Sequence, residues 1–269
     1  MTWINEVFHK NKAIIGMCHL KALPGDPLYD AKRGMEGIYQ SALQDVNSLQ
    51  LGGIDGIQFT NEFSVPYEKN DQSNPVVVAA MATIIGRLKE HITVPFGVNC
   101  IGDSIATISL CAATGATWTR GTYYGSWATN EGIVEGECAK VYRLRHNLNC
   151  DSLKLIHYIV PENSKDLADR DPITSLKSHC FLNQPDALGL AGLVAGQKIS
   201  VDMLKLVRNA FPNIVLFTVT GINETNVKEI MTISDAAFVG TSLKYDGIFN
   251  NQIDVNRVKK LMALVKDIT

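Results

Sequence analysis

The chain has 269 residues, 46% of them hydrophobic and 19% charged, with a formal net charge of −2. Such a composition excludes a disordered chain, and a chain of this length buries enough surface to fold without disulfide staples. No basic run marks a nucleic-acid surface, and no apolar run approaches the ~18–20 residues that cross a bilayer.

Short β-rich runs alternate with amphipathic stretches from end to end. A first strand is predicted over 13–18, followed after a Pro/Gly loop by a helix over 34–51. The second strand falls at 54–59 with a helix over 76–91, and the third at 94–98 with a helix over 103–114. Pro95 suits only the start of that third strand. The fourth strand, 116–120, precedes a helix over 131–147; the fifth, 153–158, precedes one that includes 173–180. A sixth strand at 187–191 leads to a helix over 201–211, with Ser200 as its cap and Pro212 as its stop. The last two strands are 214–219 and 236–239, with helices over 224–232 and 254–267; Asn223 or Thr225 can start the first of these.

Strand starts recur on average about 32 residues apart, the length of a βαβ unit. Alternating strands and helices imply a parallel sheet covered by helices. The first loop, 19–25, lacks the Gly-x-Gly-x-x-Gly of a doubly wound sheet. Eight units without a Ser/Gly linker point to one domain over 1–269, an α/β protein with a closed (β/α)8 TIM barrel. Residues 1–6 lack the basic start and apolar core of a signal peptide. The six cysteines, Cys18, Cys100, Cys111, Cys138, Cys150 and Cys180, form no Cys-x-x-Cys pair and read as small buried residues of a reducing compartment. A cytoplasmic protein is expected. Apolar outer-helix residues allow a homo-oligomer.

Chemistry in this fold gathers at the carboxyl ends of the strands. Residues near those ends are His19, Asn61, Glu62, Asn99, Arg120 and His157. Glu62 is the candidate for proton transfer, with His19 and His157 as further acid/base groups; Asn99 and Arg120 are candidates for orienting a substrate. Asp55 and Lys154 fall early in their strands and read as stability residues. Strand seven ends in Thr220-Gly221-Ile222-Asn223 and strand eight in Gly240-Thr241-Ser242. Glycines admit an anion close to the backbone, amides at a helix start point at it, and hydroxyls add donors. Gly221, Ile222, Gly240, Thr241 and Ser242 are therefore the candidate phosphate site, against the plain alternative of tight turns. Lys244 is either an added charge there or a solvated side chain. The run 183–196 has three glycines, but Lys198-Ile199 does not complete a Walker loop. No metal-binding motif and no cofactor fingerprint stands in the sequence, and no Gly-x-Ser-x-Gly elbow supports a serine triad.

The stretch from Gly16-Met17-Cys18-His19 through Pro24-Gly25-Asp26-Pro27 resembles the first-strand signature of the BtpA/SgcQ family. Val239-Gly240-Thr241-Ser242-Leu243-Lys244-Tyr245-Asp246-Gly247 resembles its eighth-strand signature, and Asp254, Arg257 and Val258 continue the likeness. The resemblance implies a TIM-barrel-like fold. One branch of that family is associated with photosystem I biogenesis or stability, and another is encoded beside sugar-uptake and sugar-phosphate genes. The chain departs from the family where a Lys-His pair is replaced by Ile156-His157. It departs again at Ala191-Gly192-Leu193-Val194-Ala195-Gly196 and at Thr218-Val219-Thr220-Gly221, which removes polar groups from the expected pocket mouth. Two functions follow as expectations. One is an enzyme using acid/base chemistry on a small phosphorylated metabolite, a sugar phosphate or nucleotide-like molecule, by isomerisation, aldol cleavage or N-glycosidic hydrolysis. A Schiff-base aldolase is disfavoured, since no lysine clearly ends a central strand. The alternative, implied by the resemblance, is a non-catalytic assembly or stability factor that keeps a ligand pocket.

Overall fold

A computed structural model describes residues 2–69, 74–192 and 199–268. Gly196 and Lys198, part of the glycine run of the sixth unit, lie outside these residues. Eight strands close the barrel: β1 (Ala13–His19), β2 (Gly56–Thr60), β3 (Phe96–Asn99), β4 (Trp118–Gly121), β7 (Lys154–Tyr158), β9 (Ala187–Leu190), β10 (Val215–Thr218) and β11 (Ala236–Val239). All are parallel to their neighbours, and β1 closes the ring by pairing Ile15 with Gly56 of β2 and Ala13 with Ala236 of β11. Helices α2 (Gly34–Leu51), α3 (Pro75–Leu88), α4 (Ser104–Thr114), α5 (Cys138–Asn147), α6 (Pro172–Asn183), α7 (Val201–Ala210), α8 (Val227–Ile233) and α9 (Val255–Val265) alternate with them. The predicted (β/α)8 barrel is the observed fold.

Two apolar layers hold it. The outer layer, between strands and helices, includes Ile14, Ile57, Phe59, Val98, Leu155, Leu188 and Leu216. The inner layer fills the barrel with Ile15, Met17, Trp118, Ile156, Phe217 and Phe238. Along each strand, therefore, alternate residues face in and out, as pleating requires. The inward set is odd-numbered on β1 and β10 but even-numbered on β4, β7 and β11. That parity decides which strand-end residue reaches the pocket.

The amino-terminal end of the barrel is closed by a short helix, α1 (Trp3–Phe8), which the sequence patterning did not predict. Trp3 stacks on Phe217 at 5.7 Å, and its indole N–H donates to the Asp186 carbonyl. Phe8 packs on Trp118, whose indole donates to Gln58 at 2.8 Å. Aspartates at strand starts stitch this end. Asp55 accepts from the Ile14 amide, Asp186 from Leu155 and Asp235 from Leu216, each paired with a cation: Lys10, Arg145 and Arg208. Lys154 lies 3.8 Å from Asp186. Asp55 and Lys154 thus sit on the face where stability rather than chemistry resides.

Two predicted elements differ. Residues 131–147 are not one helix: β5 (Ser126–Thr129) and β6 (Gly132–Glu135) form a hairpin, and β8 (Lys165–Asp166) adds a third antiparallel strand to it. Gly132 has φ +105°, and a Cβ on Gly136 would fall 2.2 Å from the Tyr124 backbone, so neither position suits a helix. Likewise α8 begins at Val227 with Asn226 as its N-cap residue, not at Asn223 or Thr225. The Asn223 side chain accepts instead from the Thr225 amide and hydroxyl, an Asx turn that delays the helix. Ser200 caps α7 as expected, accepting from the Met203 amide at 3.2 Å.

Candidate functional site

The carboxyl end of the barrel opens into a crevice with two lobes. One, of about 670 Å³, lies against the ends of β1, β10 and β11. The other, of about 290 Å³, lies against β3, β4 and β7 beneath the β5–β6 hairpin. Glu62, Tyr67, Arg120 and Glu162 line both, so they form the waist between them.

Arg120, inward-facing on β4, is the central group. The residue is only 6% exposed, yet its Nε and Nη1 have no hydrogen-bond partner among the described residues. Its guanidinium lies 4.6 Å from the centroid of the Phe238 ring and 5.9 Å from that of Tyr158, which orients its plane without supplying an acceptor. Asn99 at the end of β3 donates from Nδ2 to the Arg120 carbonyl at 3.0 Å and faces the smaller lobe. Glu62 follows β2, and one of its carboxylate oxygens accepts from the Thr60 hydroxyl at 2.9 Å. Tyr67 braces the same loop by donating to the Glu62 carbonyl.

His19 ends β1 on the inward face and is buried. Burial holds its imidazole down at about 4, against the opposing pull of Glu62, so the ring is neutral near pH 7. Its Nδ1 has no partner among the described residues. A Cβ on Gly240 would come within 3.2 Å of the imidazole Cε1, so the missing side chain there seats the ring against the end of β11.

Gly221, Ile222, Gly240, Thr241 and Ser242 meet along one wall of the larger lobe. Gly221 has φ +74°, the left-handed backbone that favours glycine. The Ser242 hydroxyl is not free for a ligand: it donates to the Ile222 carbonyl at 2.8 Å and ties the two loops together. Arg257, in the first turn of α9, donates to the Ser242 carbonyl at 3.0 Å and faces the same lobe.

His157 is not part of this crevice. On β7 the even residues face inward, Ile156 among them, so His157 points out toward the helices. There its Nδ1 bonds His179 Nε2 of α6 at 2.9 Å, and His179 in turn bonds Asn183 and stacks on Tyr124 at 3.8 Å. Both imidazoles are neutral through burial, His157 well below the usual range and His179 at about 4. This is a packing contact between strand and helix, and it takes His157 away from the acid/base role expected of it. Lys244 is not solvated either. It is buried, donates to the Phe249 carbonyl at 2.6 Å, and is held down at about 8 by burial. Asn61 braces a loop by accepting from the Ile101 amide.

Tyr67, on the loop after β2, is one of several site residues that the sequence reading did not assign to the site. Glu162 comes from the loop after β7, Arg257 from a helix, and Tyr158 ends β7 one residue past His157. Burial raises the Glu162 carboxyl above its ordinary value, and the Glu62 charge adds to this against the lowering pull of Arg120 and the Thr220 hydroxyl. Among the described residues no group of three or more His, Cys, Asp and Glu is placed to hold a metal ion. Among them, too, no helix is long and apolar enough to cross a membrane.

A closed barrel of eight parallel strands with its crevice at the carboxyl ends defines an α/β-barrel protein of the kind found in many enzymes. Solved structures agree on the fold: phosphoribosyl anthranilate isomerase of Thermus thermophilus superposes with a TM-score of 0.55 at 11% identity, covering 96% of this chain and 100% of that one. Thiamine phosphate pyrophosphorylase of Pyrococcus furiosus gives 0.56 at 13% identity over 96% of each chain. KGPDC of Streptococcus mutans gives 0.58 at 9% identity over 96% and 99%. At such identities the likeness is one of fold. The chain belongs to the BtpA family, whose model matches residues 10–267. It is 40% identical over 268 residues to the "putative sgc region protein SgcQ" of Escherichia coli, covering 100% of this chain and 99% of that protein. It is 28% identical over 264 residues to the photosystem I biogenesis protein BtpA of Synechocystis, covering 97% and 91%.

Proposed function

We propose that this protein is an enzyme that uses acid/base chemistry on a small phosphorylated metabolite, a sugar phosphate or a nucleotide-like molecule. Arg120 is the observation that carries this reading. An unpaired guanidinium costs several kcal/mol to bury, and an anion that accepts from its free N–H groups offsets the cost. In this reading the phosphate rests on the backbone of Gly221, Ile222, Gly240 and Thr241, with Arg257 adding charge and Ser242 holding the loops together. Phosphate sites of barrel enzymes commonly lie after the last two strands. Asn99 holds the Arg120 backbone and orients the substrate, and Glu62 moves the proton. Neutral His19 acts by hydrogen bonding rather than as an imidazolium.

A second reading, binding without turnover, is favoured by the biogenesis role in the name of the Synechocystis relative. One experiment separates the two. Thermal shifts are measured with inorganic phosphate, ribose 5-phosphate and other phosphorylated metabolites, and each stabilising compound is then assayed for turnover. Glu62→Gln is expected to lower turnover roughly 10²- to 10⁴-fold, the usual worth of a general base, with the melting temperature unchanged. Stabilisation without turnover selects the binding reading; no stabilisation by any phosphorylated compound removes both.

A further inference from the structure

The crevice has room on both sides of its waist, and the two sides differ in chemistry. The larger lobe carries the glycine loops and Arg257. The smaller is walled by Asn99, Tyr158, Glu131 and Asn163, and Arg120, shared with the larger, is the one cation among its described lining residues. A second phosphate would meet carboxylates there. The groups that fit are neutral rings bearing O–H or N–H donors, which aromatic walls, amides and carboxylates all accept. Glu62 and Glu162 reach the waist from different loops, those after β2 and β7, so a bond joining the two halves of a ligand falls among two carboxylates and Arg120.

Resting on the phosphate reading above, we propose that the substrate is a glycoside of a sugar phosphate threaded through this waist, its phosphate in the larger lobe and its second ring in the smaller, and that Glu162 is the catalytic acid that protonates the departing ring. The bond from the anomeric carbon to the oxygen or nitrogen of that ring breaks, and the electron pair leaves with the ring. The ring takes its proton from Glu162. A water oxygen bonds to the anomeric carbon and gives its proton to Glu62, so the net change is hydrolysis. Arg120 stabilises the carboxylate that Glu162 becomes when its proton departs. Burial keeps Glu162 protonated to higher pH than a solvated carboxyl, as an acid requires, while Glu62 retains its hydrogen bond from Thr60.

The test compares two glycosides of ribose 5-phosphate that differ in leaving group: methyl, which needs a proton, and 4-nitrophenyl, which does not. Glu162→Gln is expected to lower kcat on the methyl glycoside at least 100-fold and on the nitrophenyl glycoside less than 10-fold, and to abolish the alkaline limb of the pH profile. Val134→Trp, on the hairpin over the smaller lobe, is expected to raise KM for the nitrophenyl glycoside, whose ring enters that lobe, at least tenfold while leaving KM for the methyl glycoside and ribose 5-phosphate binding unchanged. That unchanged binding also shows that the variants are folded. Equal losses on both glycosides overturn the acid role of Glu162. Ribose 5-phosphate binding without hydrolysis of either glycoside overturns the glycoside proposal and leaves the phosphate reading standing. Failure to bind ribose 5-phosphate or inorganic phosphate at all overturns both.

Discussion

Arg120 is a buried cation whose Nε and Nη1 find no acceptor among the described residues. A buried cation without an acceptor destabilises the folded chain, so Arg120→Met, similar in bulk and apolar, is expected to leave the free protein as stable or more stable by about 1–2 kcal/mol. The same variant should lose the thermal shift produced by phosphorylated ligands; chemical denaturation with and without ligand measures both effects. Its place at a strand end made Arg120 legible as a candidate, as it did His19, Asn99 and Glu62. Its lack of a partner was not legible, because no local pattern says whether an acidic side chain lies within reach of it. His157 marks where reasoning by strand ends fails. In a parallel strand covered on both faces, Lys154-Leu155-Ile156-His157-Tyr158 shows no polar–apolar alternation from which its inward face could be read.

Packing between elements carries its own pH dependence. His157 of β7 and His179 of α6 are neutral when folded and titrate near 6.5 when unfolded. Between pH 6.5 and about 4 the unfolded chain therefore binds more protons, and stability falls as pH falls. Each imidazole contributes a slope of up to about 1.4 kcal/mol per pH unit in that window. Urea melts at stepped pH should show this loss, and His157→Gln should reduce its slope, leaving the share of His179 and of buried His19. The plug helix α1 makes a second prediction. Trp3 is buried against Phe217, so Trp3→Ala should cost about 3–5 kcal/mol with little change in ligand binding at the opposite end of the barrel. Neither α1 nor the β5–β6 hairpin was predicted. Six residues are too few to show a helical period, and the charged run 131–147 mimics a helix until Gly132 and Gly136 are seen against their neighbours.

At the scale of the whole molecule, a ligand at the carboxyl end binds loops of several barrel units at once and only in the folded state. Ribose 5-phosphate at 100 times its Kd should therefore raise unfolding stability by about 2.7 kcal/mol, and the gain should shrink in high salt where the anion's attraction to Arg120 and Arg257 is screened. Differential scanning fluorimetry across salt concentrations checks this. Local patterning in the chain was enough to set the order of eight strand–helix units, the closed barrel they imply and the meeting of Gly221 with Gly240. These follow from periodicity, turn chemistry and the right-handed connection of parallel strands. Folding in three dimensions was needed to settle which strand-end side chains look inward, that Arg120 stands unpaired, that Lys244 is buried, and that Glu162 and Arg257 join the crevice. Those outcomes depend on the register of each strand around the ring and on loops brought together across more than a hundred residues, and no local pattern records either.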